Sequence, residues 1–135
     1  MNKSLRKQIK ERARYLCEYC LSPEHFCPAY YEGDQITPVS AGGEDSFENL
    51  ANSCGGCNNN KSNATEAIDP STGQTVPLYN PRIHNWADHF VWNNNYTLML
   101  GISPIGRATI QKLKLNRQEV VNLRGLLVTV GLHPI

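Results

Sequence analysis

Cys17-Glu18-Tyr19-Cys20 and Cys54-Gly55-Gly56-Cys57 enclose a segment that carries Asp34, Asn49 and Asn58. Two thiolates separated by two residues approach one ion from a single tight turn, and two such turns complete a tetrahedral shell. The pattern predicts a closed four-sulfur zinc site that staples a small fold and supplies folding energy directly. Either pair alone is open to a redox dithiol, and the second pair favours zinc. Gly55-Gly56 is expected to give the second turn positive-φ residues without strain. Of the remaining candidates, Cys27 reads as a small apolar filler and His25 as an alternative ligand.

At 135 residues the chain has the length of one domain with one modest core. Its 40% hydrophobic and 19% charged residues are those of an ordinary folded protein, which excludes a disordered chain. No apolar run reaches the length of a membrane span, and none follows the basic first residues as a signal peptide would require. The expected compartment is therefore the reducing cytoplasm, where paired cysteines bind metal more often than they form disulfides. The net charge is only +1, but its distribution is uneven. Six of thirteen Lys and Arg lie within the first fourteen residues, and nine of twelve acids lie between Glu18 and Asp69. Basic ends around an acidic centre suit a protein that grips phosphate and holds a cation. Arg6, Lys7, Lys10 and Arg14 are the candidate phosphate contacts, with a solvated helix face as the competing reading of the same run.

Leu5, Ile9, Ala13 and Leu16 recur at helical spacing behind Ser4, the expected N-cap. Residues 30–38 and Leu50–Ser53 read as short strands around a loop at Gly42-Gly43, and residues 58–67 as a helix. Asp69 to Gly73 is a turn, residues 77–81 are extended, and residues 96–100 form a strand. A last helix is expected from Asn116, with Glu119 as capping-box partner, Val120, Leu123, Leu127 and Val130 on one face, and a stop at Gly131. Trp86, Phe90 and Trp92 suit an aromatic core joining the two halves, with base stacking as the alternative.

The order Asp34-Gln35-Ile36-Thr37-Pro38, Gly42-Gly43, Glu48-Asn49-Leu50 and Cys57-Asn58-Asn59-Asn60-Lys61 resembles the HNH endonucleases over about residues 15–64. The resemblance implies an α+β fold: a ββα-metal core stapled by the four-cysteine zinc site, with an N-terminal helix and a C-terminal α+β extension. One domain over 1–135 is expected, with 1–68 as the core and 69–135 as the extension packed on it. The resemblance places Asp34 and Asn58 at the positions of the catalytic ion's protein ligands. Both offer hard oxygen, which suits magnesium or manganese, with water and phosphate completing the shell. It makes Asn49 a loop-fixing residue and puts Lys61 one turn after Asn58, within expected reach of a phosphate. Segments 77–82, 89–92 and 106–109 also resemble the tail of bacterial stand-alone members.

Gln35 departs from that pattern, because the family carries its general-base histidine there. An amide orients water but takes no proton at neutral pH. The expected chain is therefore an endonuclease on double-stranded DNA with impaired activity, or with rescue from His84 or His89. Two other classes compete: an inactive zinc-stapled nucleic-acid-binding module, and a zinc-ribbon adaptor that leaves Asp34, Asn49 and Asn58 unexplained.

Overall fold

A computed structural model describes residues 1–135 as a mixed α+β protein. The chain divides into two compact units, Met1–Thr65 with Asn80–Ile83, and Glu66–Tyr79 with His84–Ile135. No helix is long and apolar enough to cross a membrane.

In the first unit, helix α1 (Lys3–Arg12) is capped by Asn2, whose side chain accepts from the Leu5 N–H at 2.7 Å. Ser4, the expected cap, lies inside the helix and accepts from Gln8 Nε2 instead. The helix buries Ile9 completely. Arg14 and Tyr15 then take left-handed backbone, both at φ 58°, and turn the chain toward the first cysteine pair. Strands β1 (Glu32–Gln35) and β2 (Leu50–Ser53) pair antiparallel, with Asp34 opposite Ala51 and Gln35 opposite Leu50. All four residues of β2 are buried. The loop between the strands is tied by Asn49: its Oδ1 accepts from the Thr37 N–H, and its Nδ2 donates to the carbonyls of Thr37 and Glu44. Gly43 sits beneath that clamp, where a Cβ would lie 1.7 Å from Thr37 O.

Helix α2 (Gly55–Lys61) starts at the second cysteine pair, three residues before the expected position. Cys54 caps it through Sγ, so Gly55 and Gly56 serve as the open first turn of a helix. They take no positive φ, which corrects the reading of the glycine pair. The asparagine run 58–60 is carried by this cap rather than by its own poor propensity.

The second unit opens with a hairpin, β3 (Glu66–Ile68) and β4 (Thr75–Pro77), around the expected turn at Asp69. Asp69 accepts from Ser71 N and Thr72 Oγ1 and receives Arg107 through two 2.9 Å bonds. A second hairpin joins β5 (Phe90–Trp92) to β6 (Met99–Gly101), which begins three residues later than the expected strand. Helix α3 (Pro104–Leu113) packs on β6 and on the first hairpin. Its Gly106 allows the approach to β5, since a Cβ there would meet His89 O at 2.0 Å. Trp86 stacks on Phe90 and lies 5.5 Å from Trp92, so these rings form a cluster within this unit.

Helix α4 (Gln118–Thr129) begins after Arg117 without a side-chain cap. Asn116, the expected first residue, is used elsewhere: its amide bonds both the N–H and the carbonyl of Met99, standing in for a strand partner of β6. Glu119 pairs with Arg117 instead of closing a capping box. The helix buries Val120, Leu127 and Arg124, leaving Val130 exposed.

Arg124, 2% exposed, holds this unit together at α4. Its guanidinium donates to Thr97 O, Leu115 O and Asn116 Oδ1 and lies over the Trp92 ring. Replacement by Met fills much of the volume but removes donors from the carbonyls of Thr97 and Leu115 and one of two from Asn116 Oδ1, so Arg124→Met is expected to cost roughly 2–3 kcal/mol. Urea unfolding followed by tryptophan fluorescence checks this, and an unchanged midpoint contradicts it.

Candidate metal centre and cleft

The fold brings Cys17, Cys20, Cys54 and Cys57 together with all four Sγ atoms within 4.8 Å of one another. Cys20 and Cys54 Sγ are 3.7 Å apart. A zinc–sulfur bond of ~2.3 Å in a tetrahedron requires an edge of about 3.8 Å, which the Cys20–Cys54 edge matches, so the cluster could hold zinc. No disulfide links them. Each pair also directs a backbone N–H at its leading sulfur, Cys20 N to Cys17 Sγ and Cys57 N to Cys54 Sγ. Bonds from the neighbouring thiols, Cys17 first, hold Cys54 well below the ordinary thiol range and favour a thiolate. Cys27 stands apart from the cluster against Tyr31 OH, and His25 is exposed and stacked on Tyr15.

Beside this centre a cleft of about 770 Å³ is lined by Arg6, Glu32, Asp34, Gln35, Asp45 and Asn58, among others. Strand β1 supplies Glu32, Asp34 and Gln35, and α2 supplies Asn58. Asp34 is 4% exposed; its Oδ2 accepts from Tyr19 OH at 2.7 Å and pairs with Lys61 Nζ at 3.1 Å. Its Oδ1 is only 3.5 Å from Lys61 and is the less committed oxygen. Burial pushes the Asp34 carboxyl up from its ordinary value, and the charge of Lys61 pulls it back.

Asn58 donates Nδ2 to Glu32 Oε2 at 2.9 Å, which leaves its Oδ1 as the remaining donor atom for an ion. Asp34 Oδ1 and Asn58 Oδ1 are both hard oxygens, the ligand type that magnesium and manganese take in preference to softer metals. Gln35 is hydrogen-bonded at both ends: Nε2 donates to Asp45 Oδ1 at 2.8 Å, and Oε1 accepts from the Val39 N–H.

Lys61 does not lie where sequence reasoning put it. It is 2% exposed, and besides Asp34 its ammonium donates to the carbonyl of Gln35, so it is no surface contact for phosphate. One turn of helix from Asn58 points inward here, toward β1. Lys10 is likewise committed, to Glu24 at 2.6 Å and to Tyr31 O. Arg12 holds the carbonyls of Phe47 and Leu50. Of the four candidate phosphate contacts, Arg6, Lys7 and Arg14 are exposed, and Arg6 alone of these lines the cleft. His84 and His89 belong to the second unit, with ring centroids 5.0 Å apart and His89 Nδ1 2.6 Å from Ser103 Oγ.

Several supporting residues escaped the sequence reading. Tyr19 and Glu32 orient the two candidate ion ligands, and Asp45 meets Gln35 from ten positions away. Glu24 accepts from Lys10, Tyr31 N and Asn52 Nδ2, and Glu18 accepts from Asn52 N and pairs with Arg82. These two acids lock β2 against the first cysteine turn. A Cys-x-x-Cys turn with an acid inside it was the one local signal for such a role.

No curated protein and no solved structure matches the chain. Its N-terminal half gives the opposite result: residues 17–64, from the first cysteine of the cluster past the end of α2, match the family model for HNH endonuclease.

Proposed function

We propose that the chain is a metal-dependent endonuclease that hydrolyses phosphodiester bonds in double-stranded DNA. The observation that carries this reading is the shared cleft of Asp34, Gln35 and Asn58 beside a four-sulfur centre, within the span that matches the nuclease family. Asp34 and Asn58 hold a magnesium or manganese ion, Tyr19 and Lys61 fix the Asp34 carboxylate, and Glu32 fixes the Asn58 amide. Such second-layer partners set the orientation of ligands. When bound, the ion lowers the pKa of its water and offsets charge on the phosphate. Because Lys61 already neutralises Asp34, the ion's positive charge remains available to the substrate. Asn49 shapes the loop over the cleft, and Arg6, Lys7 and Arg14 draw in the DNA backbone.

Gln35 leaves the chain without the imidazole base, so cleavage is slow. Replacing Gln35 by His is expected to raise supercoiled-plasmid cleavage in manganese by roughly 10²–10⁴-fold, and adding Asn58→Ala to that variant to remove the gain. Salt-sensitive DNA binding with no cleavage by any of the three chains would instead support a binding module that lost its chemistry.

The structural ion is tested separately. One zinc per chain is expected by native mass spectrometry, and a strong zinc chelator should melt helices α1 and α2, because zinc binding of about 10–16 kcal/mol is folding energy for such a site. Unaltered far-ultraviolet circular dichroism after complete zinc removal contradicts this.

A further inference from the structure

We propose that Asp45 is the proton acceptor of this cleft, taking the proton from an attacking water that Gln35 holds; the inference rests on the hydrolytic reading above. Three carboxylates line the cleft: Glu32, Asp34 and Asp45. Asp34 is buried, receives Tyr19 and Lys61, and is assigned to the ion. Glu32 is turned to the Asn58 amide. Asp45 is exposed, and its recorded partner is Gln35 Nε2 at 2.8 Å. It therefore keeps free lone pairs directly beside the side chain at the base position.

The orientation of Gln35 is fixed by its two neighbours. Its Oε1 faces a backbone N–H and its Nε2 faces a carboxylate, and the flipped amide would set oxygen against oxygen and nitrogen against N–H. One Nε2 hydrogen is used on Asp45, and the second is available to a water oxygen next to that carboxylate. The amide orients and the carboxylate accepts, a division of labour that one histidine performs alone. The loop holds Asp45 in place from its adjoining residue, since Asn49 Nδ2 binds the carbonyl of Glu44 at 2.8 Å and that of Thr37 at 2.9 Å.

In the step itself, a water O–H bond breaks and its proton passes to an Asp45 oxygen. The water oxygen forms a bond to phosphorus, and the opposite P–O bond breaks with its electron pair staying on the leaving oxygen. Solvent protonates that oxygen, and Asp45 returns its proton to solvent. The products are a phosphate monoester and an alcohol.

The test uses the zinc-loaded full chain on supercoiled plasmid at saturating manganese, comparing Asp45→Asn, Asp45→Glu, Glu32→Gln and Gln35→His. Asp45→Asn preserves an oxygen for Gln35 and removes only the charge that takes a proton. It is expected to cut at least about tenfold more slowly than the natural sequence, with DNA affinity, manganese half-saturation and zinc content unchanged and with activity partly restored in Asp45→Glu. Cutting by Asp45→Asn at the natural rate overturns the proposal, and loss in Glu32→Gln alone moves the role to Glu32. A deficit in Asp45→Asn that vanishes at higher manganese makes Asp45 an ion ligand and also overturns it. If the natural sequence is inert while Gln35→His cuts, Asp45 is no base and the endonuclease reading stands. If Gln35→His is inert as well, that reading itself fails.

Discussion

Four sulfur atoms confined within 4.8 Å of one another are the constraint on which the first unit depends. Two come from the turn after α1 and two from the start of α2, so closing the cluster fixes the helix against the chain that leads into it. The β1–β2 hairpin lies between these two turns in sequence and is held from both sides. Glu18 inside the first turn receives Asn52 of β2, while Lys61 at the end of α2 reaches Asp34 and the Gln35 carbonyl of β1. A hairpin of two four-residue strands and a seven-residue helix bury too little apolar surface to hold this geometry unaided. A metal held by the four sulfurs would supply what the small core lacks.

The charges of this unit are spent mostly inside it. Lys10 with Glu24 and Lys61 with Asp34 are buried pairs, at 2.6 and 3.1 Å. Burying such pairs costs desolvation that their attraction only partly repays, so their value lies in specifying one arrangement. The Lys61 pair has a second consequence, since it leaves the base of the cleft near neutral. Around that floor stand Glu32, Asp45 and Arg6, so the remaining charge of the cleft lies at its rim.

Much of this was legible in the sequence where the chemistry is local. The cysteine pairs announce their own clustering, β2 was read with its observed bounds, and the Asp69 turn follows from its own side chain bonding Ser71 and Thr72. What escaped depends on partners distant in the chain. Lys10 and Lys61 look like surface cations until their acids, 14 and 27 residues away, are placed beside them. Asn116 looks like a helix cap until Met99 claims its amide. Helix α3 hides behind Pro104 and Gly106, although Pro fits a first turn and Gly106 permits the contact with His89. The three-residue strands β3 to β6 are too short to show a period.

The most direct test is anomalous diffraction from crystals of the zinc-loaded protein soaked in manganese, with data at both absorption edges. The account predicts a zinc peak enclosed by Cys17, Cys20, Cys54 and Cys57, and a manganese peak bonded to Asp34 Oδ1 and Asn58 Oδ1. Manganese found elsewhere, with Asp34 still closed on Lys61 and Tyr19 and Asn58 bound only to Glu32, would contradict it.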